Sequence, residues 1–281
     1  MPKVFNKLAV AITFSPTSVA LLRETLRLQK LFDSELLLIH SGRKNDDNEK
    51  RLNELIEKTG METNSVHIDW VKGEPGDSIL LSAKSNGIDL IIAGALEREN
   101  IIKYYIGSVA RKLMRESDCS VLIFKSPSEN PSGFKKFYID MDFTTKCEMA
   151  IKKSFEFAKK EMAEEFVLIR DYKLYGVDGS MVEFGEISTY EAIKEKIRIE
   201  EEEKMKIFVR ELNLKGLNIK TVYLYGREGI TARDYALKNE ADIFVVTAPA
   251  TKLRLLDRLF PHEQEYSFEF LPSNLLIIKN S

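Results

Sequence analysis

Short apolar runs alternate with amphipathic stretches from the start of the chain to residue 125. Runs of strand length that are apolar on both faces are typical of a parallel sheet covered by helices on each side. The predicted strands are residues 8–12, 35–40, 65–70, 88–93 and 121–124. Strands that alternate with helices in this way predict a doubly wound α/β unit.

Helical periodicity fills the intervals between these strands. Ser15-Pro16 predicts a helix start, because an N-cap serine precedes a proline at the first helical position. That helix extends to about Phe32, and two more are predicted over residues 48–58 and 77–85. Gly107-Ser108 opens a fourth helix, whose apolar positions have a period of 3.6 residues: Val109, Leu113 and Met114.

The same pattern begins again after residue 136. Residues 126–136 (SPSENPSGFKK) are rich in Ser, Pro and Gly and predict a linker. The segment that starts at Phe134, near the end of this stretch, aligns with the segment from Phe5, and later Asp242 aligns with Asp89. The chain therefore contains an internal repeat. We predict a first domain over residues 1–126, a linker over 127–136 and a second domain over 137–281.

The second copy contains an insertion. The alignment offset grows from 130 at His40 to 153 at Gly73, so 23 extra residues lie between the second and third strands of this copy. Residues 171–185 predict a β-hairpin that turns at Asp178-Gly179. A long helix to about Leu212 follows, with Ser188 and Glu191 as a capping box. The acidic run at residues 200–203 is interpreted as a solvated helix face.

Composition excludes several classes of protein. The 42 basic and 44 acidic residues give a net charge of −2, which does not favour binding to nucleic acid or an acidic membrane. The 44% of hydrophobic residues can form two cores in 281 residues. The apolar run near the N-terminus is too short for a signal peptide, and no run has the length of a membrane span. A cytoplasmic location is therefore expected.

Candidate chemistry is sparse. Cys119 and Cys147 are too few for a zinc site, and the three histidines show no ligand spacing, so no metal site is predicted: His40, His67 and His262. Phosphate-binding and nucleophile motifs of common enzyme classes are also absent from the sequence. Since no general base is found beside a nucleophile, no catalytic residue is predicted, and the protein is expected not to be an enzyme.

The stretch from residue 88 to residue 125 carries the most specific pattern. Gly94, Glu97, Gly107 and Ser108 keep the spacing G-x2-G-x9-G-[ST] after a strand, with Glu97 in place of the second glycine. Here, in residues 73–94 and in residues 119–124, the chain resembles the universal stress protein family. The resemblance implies two Rossmann-like (adenine nucleotide alpha hydrolase-like) units in tandem, each with a parallel, doubly wound, five-stranded sheet.

The resemblance also implies a ligand site. In the family's nucleotide binders, an Asp after the first strand meets the ribose and base, and the glycine loop holds the phosphates. The positions that correspond are Thr13, Ser41, Gly94, Glu97, Gly107 and Ser108 in the first copy and Asp142 in the second. ATP or another adenine nucleotide is the implied ligand, and no other cofactor is predicted. Glu97 opposes this ligand, since like charges about 4 Å apart cost roughly 1 kcal/mol in water.

Structural roles compete with these assignments. Gly94 could serve only a tight turn and Gly107 only close helix packing. Asp142 could equally cap the helix that begins near Thr144. In the second copy, Ala248, Thr251 and Pro261-His262 replace the glycine frame, which makes a triphosphate site there unfavourable.

Four functions remain open. The favoured one is a non-enzymatic stress-response protein with a degenerate adenine-nucleotide site in the first domain. The alternatives are a functional ATP or AMP sensor, a slow ATPase, and an interaction protein that keeps the fold without the ligand. A protein partner would receive the signal. Family dimers often pair their final strands, so the resemblance implies that residues 121–124 and 275–278 pair within this chain as a pseudo-dimer, with a further homodimer left open.

Overall fold

A computed structural model describes residues 3–60, 67–98, 101–105, 107–173, 187–248 and 271–279. For residues 96–98, 101–105 and 187–190 it describes only the course of the backbone. These residues form an α/β fold of two halves, which residues 126–135 connect.

The first half follows the predicted order of strands and helices, with two further strands that the sequence did not predict. Its strands are β1 (Lys7–Ile12), β2 (Glu35–Ser41), β3 (His67–Val71), β4 (Leu90–Gly94), β5 (Leu96–Arg98), β6 (Ile101–Tyr105) and β7 (Ser120–Phe124). Its helices are α1 (Ser18–Phe32), α2 (Asp46–Glu57), α3 (Pro75–Ser85) and α4 (Ser108–Glu116). The start of α4 at Gly107-Ser108 is confirmed.

The second half repeats this order. Its strands are β8 (Lys136–Asp140), β9 (Glu165–Tyr172), β10 (Ile219–Tyr225), β11 (Ile243–Thr247) and β12 (Asn274–Ile278). Its helices are α5 (Thr145–Lys160), α6 (Ile187–Leu212) and α7 (Ile230–Lys238). The hairpin predicted to turn at Asp178-Gly179 lies outside the described residues.

Ten strands form one continuous sheet. Their order is β10-β9-β8-β11-β12-β7-β4-β1-β2-β3. Each half contributes five parallel strands, and β7 and β12 join the halves as an antiparallel pair in which Leu122 is opposite Leu276. The predicted pairing of the final strands is therefore confirmed. Because the side chains of β7 are buried along its whole length, this seam lies inside the molecule.

Backbone contacts of two aspartates confirm the repeat. The Asp89 carboxylate accepts hydrogen bonds from the backbone N–H groups of Asn6 at 2.7 Å and Lys7 at 3.2 Å. Asp242 does the same for Lys135 at 2.6 Å and Lys136 at 2.9 Å. Each aspartate directly precedes the fourth parallel strand of its half and thus ties that strand to the start of the first one.

Helix α6 is a lengthened counterpart of α2. Leu52 of α2 and Met205 of α6 are fully buried in the same core and lie 153 positions apart, which is the offset of the repeat at Gly73. The insertion therefore precedes Met205, and the extra turns of α6 lie at its N-terminal end.

Two apolar layers cover the sheet. One core contains side chains of α1, α2, α5 and α6, and the other contains side chains of α3, α4 and α7. Successive strand residues enter opposite cores: Leu38 enters the first, whereas Leu37 and Ile39 enter the second. This alternation is the expected result of a two-residue period in strands buried on both faces.

The two halves meet at α1 and α5. The Phe157 ring of α5 lies 4.8 Å from Phe32 of α1 and 5.1 Å from Phe137 of β8, measured between ring centroids. Nearby, Arg27 of α1 donates to Glu161, just after α5, at 2.6 Å. Apolar packing and one buried ion pair therefore hold the halves together.

Several local predictions were wrong. Helix α1 begins at Ser18 with Thr17 as its N-cap, because Ser15 and Pro16 lie in a turn in which the Ser18 N–H donates to the Ser15 carbonyl at 3.1 Å. Helix α6 begins at Ile187, so Ser188 lies in its first turn and is not its N-cap.

The acidic run at residues 200–203 is only partly solvated. Glu201 is buried and accepts a hydrogen bond from Arg170 of β9 at 2.7 Å. Position 201 lies one turn before the buried Met205, so the helix face that packs on the sheet includes one of the four glutamates. One glutamate of the acidic run, Glu201, therefore forms an ion pair with Arg170 on the buried face of the helix.

Candidate functional site

The carboxyl ends of β1 and β4 form the topological switch point of the first half. Strand order there is β3-β2-β1-β4-β7, so the chain turns outward in opposite directions from β1 and β4. Open α/β sheets bind ligands in the crevice at this point, because the two loops diverge and leave space between them.

A cavity of about 220 Å³ occupies this crevice. Five of the predicted site residues line it: Thr13, Ser41, Gly94, Gly107 and Ser108. The rest of its lining is mostly apolar and hydroxylic: Ala11, Ile12, Ser15, Thr17, Leu21, Pro75, Ile79, Ala93, Ala95, Val109 and Ala110. The structure thus brings together residues from β1, β2, β4 and the starts of α1, α3 and α4.

Two helices direct their N-termini to this cavity without a side-chain cap. The N-cap residue of α1 is Thr17 and that of α4 is Gly107, and in neither helix does the side chain of the N-cap residue accept a hydrogen bond from a backbone N–H of the first turn. Neither helix has an acidic residue in its first turn. Backbone N–H groups at such ends carry partial positive charge and suit anions. The hydroxyl of Ser18 donates to the Thr13 carbonyl at 2.6 Å and fixes the loop after β1.

Gly94 leaves space in the cavity. Its φ angle is not positive, so no turn requires a glycine there. A Cβ at this position would lie 3.6 Å from the Leu21 side chain, which is ordinary van der Waals contact. Gly94 therefore widens the crevice between β4 and α1, and the turn interpretation does not apply.

Glu97 lies in a hairpin that the sequence pattern did not predict. Strands β5 and β6 pair antiparallel, and Glu97 is opposite Tyr104 with a register shift after it. The signal was present as two adjacent pairs of strand-forming residues, Ile101-Ile102 and Tyr104-Tyr105. The side chain of Glu97 lies outside the described part of the structure, so its predicted place at the phosphate loop stays a prediction.

The corresponding edge of the second half is acidic. Asp140, Asp142 and Asp171 occupy the repeat positions of Ala11, Thr13 and Ser41, and Asp140 and Asp171 are buried. One Asp171 carboxylate oxygen accepts from the backbone N–H groups of Gly229 at 2.6 Å and Ala232 at 3.4 Å. A carboxylate of the protein itself therefore occupies the N-terminus of α7.

Asp142 supports a helix cap. Its carboxylate accepts from the Thr144 backbone N–H at 2.9 Å and from the Thr144 hydroxyl, while the Thr144 side chain accepts from Cys147 N–H and caps α5. These contacts support the structural role of Asp142 at the start of α5, where Thr144 is the N-cap residue. Ala248 follows β11, whereas Thr251 and Pro261-His262 lie outside the described residues.

His40 is buried beside the site, on the other face of β2 from Ser41. Its Nδ1 lies 3.1 Å from the Ile12 carbonyl, and its ring packs between Phe14 and Trp70. Burial lowers the pKa of His40 below its ordinary value, and the charge of Arg51 lowers it further. The imidazole is therefore neutral in the folded protein at neutral pH and donates from Nδ1 to Ile12.

A pH dependence of stability follows. Because the pKa of His40 is lower in the folded state, its contribution is complete above the unfolded pKa of about 6.5 and is lost as the pH falls through the folded pKa. We expect the wild type to lose more free energy of unfolding between pH 7.5 and pH 5.5 than His40→Phe, which has no imidazole to protonate. Urea unfolding at both pH values measures this, and identical pH slopes would contradict it.

Neither cysteine nor any metal cluster provides reactive chemistry in the described residues. Burial raises the pKa of the Cys147 thiol to about 12 and also raises the pKa of Cys119, so both favour the unreactive thiol. Across the described ranges, no group of three or more His, Cys, Asp or Glu side chains could hold a metal ion. No described helix combines the length and apolar character needed to cross a bilayer.

The fold and the crevice define a tandem α/β protein of the Rossmann-like class. Residues 42–125 match the model of the universal stress protein family. The chain is 21% identical over 145 residues to universal stress protein MJ0531 of Methanocaldococcus jannaschii, covering 45% of this chain and 85% of that protein. It is 27% identical over 148 residues to universal stress protein YxiE of Bacillus subtilis, covering 43% and 100%.

Solved structures match the whole chain. A universal stress protein from Archaeoglobus fulgidus superposes with a TM-score of 0.58 at 15% identity and covers 98% of both chains. A candidate universal stress protein from Pseudomonas aeruginosa gives a TM-score of 0.68 at 18% identity, covering 98% of this chain and 93% of that one. These likenesses show the fold of the chain. Residues 42–125 match the universal stress protein family, in agreement with the sequence resemblance.

Proposed function

We propose that the crevice of the first half is a degenerate adenine-nucleotide site and that the chain is a non-enzymatic regulatory protein of the stress response. The main support is that Thr13, Ser41, Gly94, Gly107 and Ser108 line one cavity at the switch point of the sheet. Uncapped helix N-termini and hydroxyl groups are suitable partners for phosphate oxygens. The rest of the molecule would report occupancy of this site to a protein partner.

Three features make this site weaker than an ordinary nucleotide site. Thr13 offers a hydroxyl where the family's nucleotide binders have an Asp. Glu97 brings a negative charge to the phosphate loop. The cavity of about 220 Å³ is also smaller than the roughly 300–1,000 Å³ of typical ligand pockets. We therefore expect weak binding of adenine nucleotide, and tighter binding when Glu97 is replaced by an uncharged residue.

The lining of the cavity supports binding without turnover. Among its described residues there are hydroxyl, backbone and apolar groups, but no Asp, Glu, His, Lys or Cys side chain that could serve as a general base. A hydroxyl nucleophile without an adjacent base is weak. Single-turnover incubation with labelled ATP tests this point. Release of phosphate faster than in the absence of the protein would support the slow-ATPase alternative instead.

Glu97→Gly is the direct test of the site. Removal of the carboxylate restores the glycine spacing and relieves roughly 1 kcal/mol or more of repulsion, so ATP affinity should rise about fivefold or more. Isothermal titration calorimetry with ATP, ADP and AMP measures this gain, and thermal shifts with the same ligands provide a second readout.

Glu97→Gln separates charge from size. It keeps the volume of the side chain and removes its charge, so it should show a part of the gain seen with glycine. A wild type and a Glu97→Gly variant that both fail to bind any adenine nucleotide would contradict the proposed site. In that case, the second candidate applies: an interaction protein that keeps the fold without the ligand, which the small cavity volume favours.

A further inference from the structure

Lys112 of α4 bridges two acids of α3. Its Nζ lies 3.1 Å from a carboxylate oxygen of Glu74 and 2.7 Å from one of Asp77. Glu74 is the N-cap of α3, and the same oxygen accepts from the Asp77 backbone N–H at 2.9 Å. Lys112 is therefore a residue of α4 whose ammonium group lies at the N-cap of α3.

The stem of Lys112 crosses the first turn of α3 at Gly76. A Cβ at Gly76 would lie 2.6 Å from Cδ of Lys112, so only glycine leaves room for this path. The contact is therefore built from two features, a lysine on α4 and a missing side chain on α3. Together they set the distance between the first turns of these helices.

Both helices contribute residues to the lining of the candidate site. Pro75 and Ile79 of α3 line the cavity, as do Ser108 and Val109 of α4. Glu74 directly precedes Pro75, and Asp77 lies in the first turn, so both acids are at the start of the helix whose first residue lines the cavity. Hydrogen bonds with Asp77 and Glu74 raise the pKa of Lys112 and keep it charged.

We propose that Lys112 is a positioning residue of the first-half site. It holds α3 against α4, so that the cavity keeps its width, and it neutralises two carboxylates that would otherwise repel a phosphate-bearing ligand. This inference rests on the proposed nucleotide function of the cavity. It adds a residue that does not line the cavity and that the glycine frame did not identify.

Lys112→Met and Lys84→Met form a matched pair for the test. Lys84 lies in the last turn of α3 and contacts Asp118, after α4, at 3.1 Å, but this contact is at the amino-terminal edge of the sheet, away from the cavity. Both variants remove one positive charge; Lys112→Met removes two ionic contacts, with Glu74 and Asp77, and Lys84→Met removes one, with Asp118. We expect Lys112→Met to weaken ATP binding about threefold to tenfold at about 50 mM salt, and Lys84→Met to change it less than about twofold.

Salt and rescue distinguish charge from packing. The loss in Lys112→Met should shrink at about 500 mM salt, where charges are screened within a few ångströms. Adding Glu74→Gln and Asp77→Asn to Lys112→Met should recover affinity, because no carboxylate is then left unpaired, and Lys112→Arg should retain it. A loss that neither salt nor these substitutions reduce would overturn the electrostatic role.

The wild type separates the two levels of inference. If wild-type protein and Glu97→Gly both fail to bind ATP, the proposed function fails. If wild-type protein binds ATP and Lys112→Met binds it equally well, the proposed function stands and the role of Lys112 is refuted.

Discussion

Arg27→Met should lower the free energy of unfolding by about 3–5 kcal/mol, the usual cost of removing one partner from a buried ion pair. Arg27 lies between Glu24 at 3.4 Å and Glu161 at 2.6 Å, and each of these glutamates is only 5% exposed. The Ser128 backbone N–H also donates to Glu24 at 3.3 Å, so the linker depends on the same cluster. Without the guanidinium, two buried carboxylates remain close together.

The loss should depend on pH in a defined direction. Burial raises the pKa of both Glu24 and Glu161 in the folded protein, so protonation stabilises the folded state as the pH falls through those values. Arg27→Met raises these pKa values further, and its deficit should therefore be smaller at pH 5 than at pH 8. Urea unfolding at the two pH values measures the difference.

Arg23→Met is the control on the same helix. The Arg23 side chain is 32% exposed, and its guanidinium lies 3.7 Å from the Glu129 carboxylate. A pair of this kind, with one exposed partner and a separation of 3.7 Å, contributes about 1 kcal/mol or less. Equal losses in Arg23→Met and Arg27→Met would show that the buried carboxylates beside Arg27 have no special importance, and Glu161→Gln should partly restore Arg27→Met.

Phe157→Ala should cost about 3–5 kcal/mol, because it opens a cavity where both halves meet. Phe157 is fully buried, and its ring has aromatic neighbours from α1, from the linker and from β8: Phe32, Phe134 and Phe137. For a chain of this size, such a loss lowers the melting temperature by roughly 10 °C. Calorimetry measures both the temperature and the enthalpy of the transition.

Met149→Ala is the matched control for Phe157→Ala. Met149 lies on the same helix but is 44% exposed, so its truncation should change stability by only about 0.5 kcal/mol. Phe157→Leu should give an intermediate loss, since it fills part of the cavity. If the melting temperatures of Phe157→Ala and Met149→Ala differ by less than about 2 °C, the packing described around Phe157 is contradicted.

The sequence contained most of the fold because its strands and repeat have strong local signals. Apolar runs at β1, β2 and β4 could only be covered strands, and Asp89 and Asp242 aligned because each performs the same backbone contact. Helix starts were less accurate, since Ser15-Pro16 has the local chemistry of a cap but lies in a turn closed by the hydrogen bond from the Ser18 N–H to the Ser15 carbonyl. The residue types alone favour both arrangements.

The candidate site divides in the same way. Gly94, Gly107 and Ser108 could be found because their spacing is local, and the resemblance to the family pointed to Thr13 and Ser41, which line the same cavity. Lys112 could not, since its partners Glu74 and Asp77 are on a different helix and nothing in the spacing links them. The buried carboxylate of Asp171 was also missed, because only the folded chain brings α7 to β9.

The antiparallel seam between β7 and β12 has a consequence for assembly. Two separate chains that pair their edges dissociate at sufficient dilution, because their association is bimolecular. Here a covalent connection supplies each edge with its partner at a fixed effective concentration. The ten-stranded sheet should therefore have the same melting temperature at nanomolar as at micromolar protein.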